Sequence, residues 1–271
     1  MSESLLLAGC GKMGGALLVG WLEGEYAAGD ITVVEPFDET ASALRKKHGV
    51  FTVATPDALP SSASPDVIVF AVKPQMMDDV APGYERFAGS DCVYLSIAAG
   101  KTINYFVSKL GTNAAIVRSM PNTPASVGRG MTVACSNANV SDAQSTLCRN
   151  LLATVGEVAW VDDEDLLDAV TAVSGSGPAY IFLLAECMTE AGIEAGLPKE
   201  LAEQLARSTV AGAGELLRQS PETAGILRQN VTSPGGTTAA ALDVLMAEGG
   251  MQQLFIRAIS AATQRSRELA D

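Results

Sequence analysis

Histidine is nearly absent from this chain of 271 residues, which contains only His48, in the run LRKKHGV. Ser-His-Asp triads and histidine-bound zinc centres need well-placed imidazoles, so either would depend on this one side chain. We expect His48 to lie on the surface at the end of a helix. The shortage therefore disfavours triad hydrolases and predicts that the protein holds no metal.

Paired cysteines, long apolar runs and clustered basic charge are missing as well. Five scattered cysteines without a CxxC pair fit reduced thiols better than disulfides or zinc. No uninterrupted apolar run reaches the ~20 residues of a membrane span, and the stretch MSESLLLAGCGKMGG lacks the basic start of a signal peptide. A net charge of −13 is unsuited to binding phosphate backbones. We therefore expect a cytoplasmic protein without a membrane or nucleic-acid partner.

Glycine, in contrast, is abundant, and its first cluster follows a strand-like apolar run at residues 4–9. The cluster opens a helical pattern, and a second strand, ITVVE, comes about 20 residues later. This order is typical of a dinucleotide-binding βαβ unit, in which backbone N–H groups at a helix N-terminus approach the pyrophosphate. A structural glycine turn is the alternative. The predicted cofactor-binding residues here are Gly9, Gly11, Lys12, Met13 and Gly14.

The residue that ends the second strand bears on the choice of cofactor. A carboxylate at the position of Glu35 usually bonds the adenosine ribose hydroxyls and repels a 2′-phosphate. The following residues, Pro36-Phe37-Asp38, supply no arginine for such a phosphate. The cofactor is therefore predicted to be NADPH or NADH, with Glu35 favouring NADH; a solvated loop residue is the alternative interpretation.

Apolar runs at residues 67–72, 92–98 and 114–120 continue the alternation of strands and helices. Helical stretches are predicted near 38–48, 75–81 and 102–110, and a capping box at Ser141 starts another. Residues 1–162 are thus predicted to form a Rossmann-type, doubly wound α/β domain, whose ligands bind at the carboxyl ends of the strands. Lys73 is assigned to the cofactor side rather than to acid/base chemistry. The predicted cofactor-binding residues at these ends are Ala71, Val72, Lys73, Pro74, Ala98, Ala99, Gly100, Pro121 and Asn122.

The second half, residues 163–271, is predicted to be all helical. Its helices are expected to begin at Asp162, at Pro178, at Lys199 and near residue 249. Long apolar helices with small residues such as Ala211-Gly212-Ala213-Gly214 favour a dimerisation domain, with an intramolecular bundle as the alternative. Two interruptions, SGSGP at 174–178 and TSPGGTT at 232–238, offer hydroxyls and free N–H groups at helix N-termini. Such a site binds a small carboxylate without arginine.

Six motifs in one order give the chain a resemblance to pyrroline-5-carboxylate reductases. They are GCGKMG at 9–14, AVKP at 71–74, SIAAG at 96–100, RSMPNTP at 118–124, SGSGPAY at 174–180 and VTSPGGTT at 231–238. The last two are the most specific, and together the motifs span nearly the whole chain. The resemblance implies NAD(P)H-dependent reduction of a cyclic imine, 1-pyrroline-5-carboxylate, to L-proline.

The resemblance also implies roles for the second interruption. Ser233 and Thr238 are the expected catalytic residues, with Thr238 orienting the ring nitrogen of the imine. The expected substrate-binding residues are Ser176, Gly235, Gly236, Thr237 and Thr238. Members of this family form homodimers, often assembled into rings of dimers. If the loop lies far from the glycine turn within one chain, a partner subunit must supply it, and the dimer is the catalytic unit.

Two other classes of protein remain as alternatives. A β-hydroxyacid dehydrogenase has a similar layout but uses a lysine on the helix after the domain junction, and residues 174–198 contain no lysine. The second alternative, a non-catalytic dinucleotide sensor, does not account for the two loops rich in glycine and hydroxyls. Oxidation of NADH or NADPH in the presence of pyrroline-5-carboxylate separates both from a reductase.

Overall fold

The structure, a computed structural model, describes residues 3–89 and 91–269. The chain forms two compact units. The first takes in the residues up to Gly175 together with those from Thr263 onward, and the second is Ser176–Ala262. The predicted division into domains at 1–162 and 163–271 stays a prediction.

Within the described residues, the first unit contains one eight-stranded sheet in the order β3-β2-β1-β4-β5-β6-β7-β8. All neighbouring strands are parallel except the antiparallel pair β6 and β7. The order reverses between β1 and β4, which opens a crevice at their carboxyl ends. The strands are β1 Leu5–Ala8, β2 Ile31–Val34, β3 Phe51–Val53, β4 Val67–Phe70, β5 Val93–Ser96, β6 Ala115–Met120, β7 Gly130–Ser136 and β8 Gly156–Trp160.

The central strands are buried on both faces, which explains their continuous apolar sequence. In β1, Leu5 and Leu7 belong to the core on one face of the sheet, while Leu6 and Ala8 belong to the core on the other. This alternation follows from the two-residue period of a strand. The helices of this unit are α1 Lys12–Glu23, α2 Asp38–His48, α3 Met77–Val80, α4 Ile103–Leu110, α5 Asp142–Ala153 and α6 Leu166–Val170.

The second unit is helical, as the sequence predicts. It contains α7 Gly177–Glu194, α8 Lys199–Gln219, α9 Ala224–Asn230, α10 Thr237–Leu245 and the start of α11, Met251–Leu269. Many large apolar side chains on these helices are exposed, including Phe182 and Leu183 on α7. The stretch Leu166–Glu194 is long and apolar enough to cross a membrane by composition alone. Within α7, the glutamates Glu186, Glu190 and Glu194, four apart, form one polar face.

Local differences from the predicted elements have physical causes. The helix starting at Leu166 does not stop at Ser174, because a π-turn over Thr171–Gly175 carries it to a single bend at Ser176. A Cβ atom on Gly175 would meet the end of the Met120 side chain, which would have to move. The predicted helix at 75–81 is a 3₁₀ turn followed by the short α3. The capping box at Ser141 is confirmed.

Candidate active site

The glycine turn between β1 and α1 combines two close backbone approaches with one open position. Gly9 has φ +84°, and a Cβ atom there would lie 2.5 Å from Cγ1 of Val72. A Cβ atom on Gly14 would lie 2.7 Å from the carbonyl oxygen of Gly9, so this glycine lets α1 pack against the turn. Gly11, in contrast, has no described atom within 4 Å of its Cβ position. Gly11 therefore borders open space where the backbone can approach a ligand.

Glu35 is a buried carboxylate beside this turn, with 6% of its surface exposed. Its Oε2 accepts a hydrogen bond from the backbone N–H of Cys10 at 3.4 Å, and its Oε1 accepts one from Phe37 at 3.2 Å. Burial, helped by the charge of Glu35, raises the pKa of the Cys10 thiol to about 11. The thiol consequently stays neutral, and the negative charge at this position comes from Glu35.

A cavity of about 680 Å³ opens at the carboxyl ends of β1, β2 and β4. Its size suits the adenosine part of a dinucleotide. It brings together six of the predicted cofactor residues: Gly9, Gly11, Glu35, Ala71, Val72 and Lys73. The side chain of Lys73 is exposed, and Pro74 after it begins a 3₁₀ turn. Lys12 instead lines a neighbouring groove along α1 and α2, while Met13, Gly14 and Pro74 line neither.

Among the lining residues of this cavity that the motifs do not indicate are Phe37, Met76 and Tyr84. Phe37 is 65% exposed, which is unusual for an aromatic side chain at a strand end. An aromatic residue two positions after Glu35 is a sequence signal for a ring on which adenine can stack. Tyr84 and Met76 come from segments without a motif, so only the fold reveals them.

Two further strand ends carry the remaining predicted cofactor residues of this unit. After β5, Ala98 is buried, Ala99 is exposed and Gly100 has φ +76°. After β6 and Pro121, the amide of Asn122 is occupied by protein groups. Its Oδ1 accepts the N–H of Met131 at 2.9 Å, and its Nδ2 donates to the carbonyl and hydroxyl oxygens of Ser174, each at 3.2 Å. Asn122 thus ties the β6 loop to the SGSGP motif.

The loop from Ser233 to Thr238 lies in the second unit and forms a tight turn between α9 and α10. Pro234 and Gly235, the latter with φ +70°, occupy its centre, as in a type II turn. The N–H of Gly236 donates to the carbonyl oxygen of Ser233 at 3.0 Å. Gly236 therefore cannot offer that N–H to a ligand. The next N–H groups, of Thr237 and Thr238, belong to the first turn of α10, which no described side chain caps.

The remaining candidate residues, Ser176, His48 and the cysteines, give no indication of a second type of chemistry. Ser176, also in the second unit, is half-buried at the bend before α7. His48 ends α2, as predicted, and burial, together with the neighbouring charge of Lys47, lowers its pKa. No group of three potential metal ligands occurs among the described residues. None of the five cysteines, all of them described, forms a disulfide.

Comparison with known proteins identifies the family. Residues 164–269 match the family model for pyrroline-5-carboxylate reductase dimerisation, and residues 5–100 match that for NADP oxidoreductase, coenzyme F420-dependent. A pyrroline-5-carboxylate reductase from Synechocystis sp. is 39% identical over 270 residues, 99% of each chain. One from Pseudomonas aeruginosa is 39% identical over 97% of this chain and 95% of its own. This chain belongs to the pyrroline-5-carboxylate reductase family.

Solved structures agree with this identification. A pyrroline-5-carboxylate reductase from Coxiella burnetii superposes over the full length of both chains with a TM-score of 0.94 and 36% identity. The enzyme from Plasmodium falciparum, 29% identical, has a TM-score of 0.83 over 100% of this chain and 99% of its own.

The activity follows from membership of the family. The chain is an oxidoreductase that reduces 1-pyrroline-5-carboxylate to L-proline with NAD(P)H, the final step of proline biosynthesis. The predicted family, fold class and reaction are confirmed, as is a C-terminal domain for dimerisation. Membership of this family sets aside the two alternative classes, a β-hydroxyacid dehydrogenase and a non-catalytic dinucleotide sensor.

Proposed function

We propose that the loop between α9 and α10 binds the carboxylate of 1-pyrroline-5-carboxylate and that Thr238 orients its ring nitrogen. The observation that carries this proposal is the uncapped first turn of α10, flanked by the hydroxyls of Ser233, Thr237 and Thr238. The free N–H groups and the positive end of the helix dipole favour an anion at this place. The donors assigned to the carboxylate are the N–H groups of Gly235, Thr237 and Thr238 and the hydroxyl of Ser233. Gly236 contributes shape rather than a hydrogen bond, and Ser176 is assigned to the substrate side.

The cofactor is proposed to bind along the strand ends, with its pyrophosphate at Gly11–Gly14 and its adenosine in the cavity beside Glu35. The open face of Gly11 and the cavity volume fit such a group. Ala98, Ala99 and Gly100, together with Pro121, are assigned to the nicotinamide end, where Asn122 acts by holding the loop. When bound, the reduced nicotinamide supplies a hydride to the imine carbon.

The residues around the imine then need only position it. The iminium form already has an electrophilic carbon, and its C=N electron pair passes to the nitrogen as the hydride arrives. A strong general acid is unnecessary, which agrees with a chain whose sole histidine ends α2. Catalysis is therefore assigned mainly to alignment of the two reactants.

NADH is proposed as the preferred cofactor because the buried carboxylate of Glu35 would repel a 2′-phosphate. The Plasmodium falciparum relative has NADP bound, so cofactor choice is assigned to residues such as Glu35 rather than to the fold.

A homodimer is proposed as the basic assembly, with rings of dimers built from it. The exposed apolar residues of α7 and its neighbours are assigned to this interface and not to a lipid bilayer, because α7 carries a row of three glutamates. Free thiols and acidic charge support a cytoplasmic location without nucleic-acid partners.

Replacing Thr238 tests the catalytic assignment. We expect Thr238→Ala to lower kcat by roughly 10- to 100-fold, because the imine loses its orienting hydroxyl. The KM for NADH and NADPH should stay within about twofold, since the cofactor is bound elsewhere. The measurement is NAD(P)H oxidation at 340 nm with pyrroline-5-carboxylate.

Two variants accompany this test. Thr238→Ser keeps the hydroxyl and should retain most of the activity. Thr232→Ala removes a neighbouring hydroxyl that donates to the carbonyl oxygen of Arg228, and it should leave turnover unchanged. Wild-type turnover in Thr238→Ala would remove Thr238 from the mechanism.

A further inference from the structure

We propose that Glu164 is a positioning residue of the reductase, which holds the β5–α4 loop, residues 97–102, in the conformation needed for hydride transfer. This inference rests on the proposed function, because that loop carries Ala98, Ala99 and Gly100 at the nicotinamide end. Glu164 itself lies outside the cofactor cavity and belongs to the acidic run DDED at 162–165.

One oxygen of Glu164 joins two elements that flank the cofactor site. Its Oε1 accepts a hydrogen bond from Nη1 of Arg118 at 2.6 Å and one from the backbone N–H of Ile103 at 2.8 Å. Arg118 lies on β6, and its side chain is only 8% exposed. Ile103 is the first residue of α4. A single carboxylate thus ties the start of α4 to the neighbouring strand.

The hydrogen bonds of the loop lie at its two ends, and between them Lys101 contacts Asp78 at 3.9 Å and the ring of Tyr105 at 4.2 Å. At the β5 end, the N–H of Ile97 donates to Phe70 at 3.1 Å and the N–H of Ala98 donates to the hydroxyl of Ser96 at 3.2 Å. At the α4 end, Thr102 accepts the N–H of Tyr105 at 3.1 Å. Glu164 completes that helix end by satisfying a further N–H group and by adding negative charge at the positive end of the helix.

A second contact, from α6, holds the other side of the loop. Asp168, one helical turn after Glu164, accepts a hydrogen bond from the buried hydroxyl of Ser266 at 2.6 Å. The end of α11 is thereby fixed against Gly100, where a Cβ atom would lie 2.9 Å from the carbonyl oxygen of Leu269. The loop is therefore confined between Glu164 and α11.

Stability alone is a poor explanation for the Arg118–Glu164 pair. Replacing a partly buried ion pair by apolar residues of similar volume is often neutral or stabilising, because both charges pay a desolvation penalty. Alignment of the β5–α4 loop, in contrast, requires the carboxylate of Glu164 in particular, because it also binds the N–H of Ile103. A displacement of about 1 Å at reacting atoms lowers turnover by up to 100-fold.

The test compares Glu164→Ala and Glu164→Gln with a matched control, Asp162→Asn, which removes a charge from an exposed position two residues away. We expect Glu164→Ala to lower kcat by roughly 10- to 100-fold. The Kd for ADP-ribose, which lacks the nicotinamide, should remain within about twofold, because the adenosine end is untouched. Glu164→Gln keeps an oxygen for Ile103 and should recover several-fold of the lost kcat, and Asp162→Asn should equal wild type.

A second route covers the case in which Glu164→Ala does not fold. The double variant Arg118→Met/Glu164→Leu keeps the buried volume and should fold, yet it still lacks the acceptor for Ile103. It should show the same loss of kcat with unchanged binding of ADP-ribose.

The outcomes separate this inference from the proposed function. Wild-type kcat in folded Glu164→Ala or in the double variant overturns it, as does a loss of kcat matched by an equal loss of ADP-ribose binding. Wild-type kcat in Thr238→Ala, measured beside a lowered kcat in Glu164→Ala, would instead refute the proposed function. Ala99→Val, a substitution at an exposed position of the loop, should also lower kcat. An unchanged kcat in this variant would show that the loop does not lie at the nicotinamide. The inference about Glu164 would then fail together with that assignment.

Discussion

At the scale of single residues, the side chain proposed to decide cofactor preference is Glu35, a buried carboxylate that accepts two backbone N–H groups. Glu35→Ser removes this charge while keeping a hydrogen-bonding group. We expect the ratio of kcat/KM for NADPH to that for NADH to rise by at least about tenfold, because like charges close together in a cavity repel strongly.

A matched variant controls for the change in net charge. Glu39→Ser removes an exposed carboxylate from the first turn of α2 and should leave the cofactor ratio unchanged. The measurement is initial rates with each cofactor over a range of concentrations. A wild-type preference for NADPH, or a ratio that Glu35→Ser does not alter, contradicts the assignment.

Single residues also show what the sequence could and could not predict. The glycine turn, Glu35 and Lys73 could be assigned from their order along the chain, because a βαβ unit places strand ends together. The contacts of Asn122 with Ser174 and of Glu164 with Arg118 join residues 52 and 46 positions apart. Such pairs depend on how the strands and loops pack, so no local pattern announces them.

At the scale of elements, the break between α9 and α10 depends on Gly235, whose φ of +70° an L-amino acid rarely adopts. We expect Gly235→Ala to lower the free energy of unfolding by about 1 to 2 kcal/mol. It should also lower kcat/KM for pyrroline-5-carboxylate by about tenfold, because the turn that orients the donors is strained. Chemical denaturation and steady-state kinetics measure the two effects.

Gly225→Ala is the comparison within the same region. Gly225 lies inside α9 with an ordinary φ, and its Cβ position meets only the Thr223 hydroxyl at 3.8 Å. Alanine there should raise helix stability by up to about 1 kcal/mol and leave the kinetics unchanged. Equal kinetic effects of the two substitutions would argue against a role for the turn in binding.

Elements themselves were predictable where their pattern was local. The bounds of α2 agree with the predicted helix at 38–48, which Gly49 ends in the left-handed conformation, and α8 begins at Lys199 as predicted. The strands β3, β7 and β8 were not recognised. β3 has only three residues, and β7 begins with glycine and pairs antiparallel with β6 through a long-range register. Their stability comes from the sheet they join and not from their own sequence.

At the scale of the whole molecule, the proposed cofactor and substrate residues belong to different compact units. Hydride transfer requires them to meet, and the sequence predicts that a partner subunit supplies the substrate loop. Under that prediction, each active site takes its cofactor residues from one chain and its substrate loop from the other. A dimer with damaged cofactor residues in one chain and a damaged substrate loop in the other therefore keeps one intact site.

Complementation between two inactive variants tests this prediction. Gly11→Asp places a carboxylate in the open space expected for the pyrophosphate, and Thr238→Ala removes the orienting hydroxyl. Each homodimer should be nearly inactive. A heterodimer of the two, purified through different tags, should recover about half of the wild-type turnover per dimer, because one of its two sites combines both intact halves. A heterodimer as inactive as its parents would place each complete site within a single chain and would leave the dimer interface with a purely structural role.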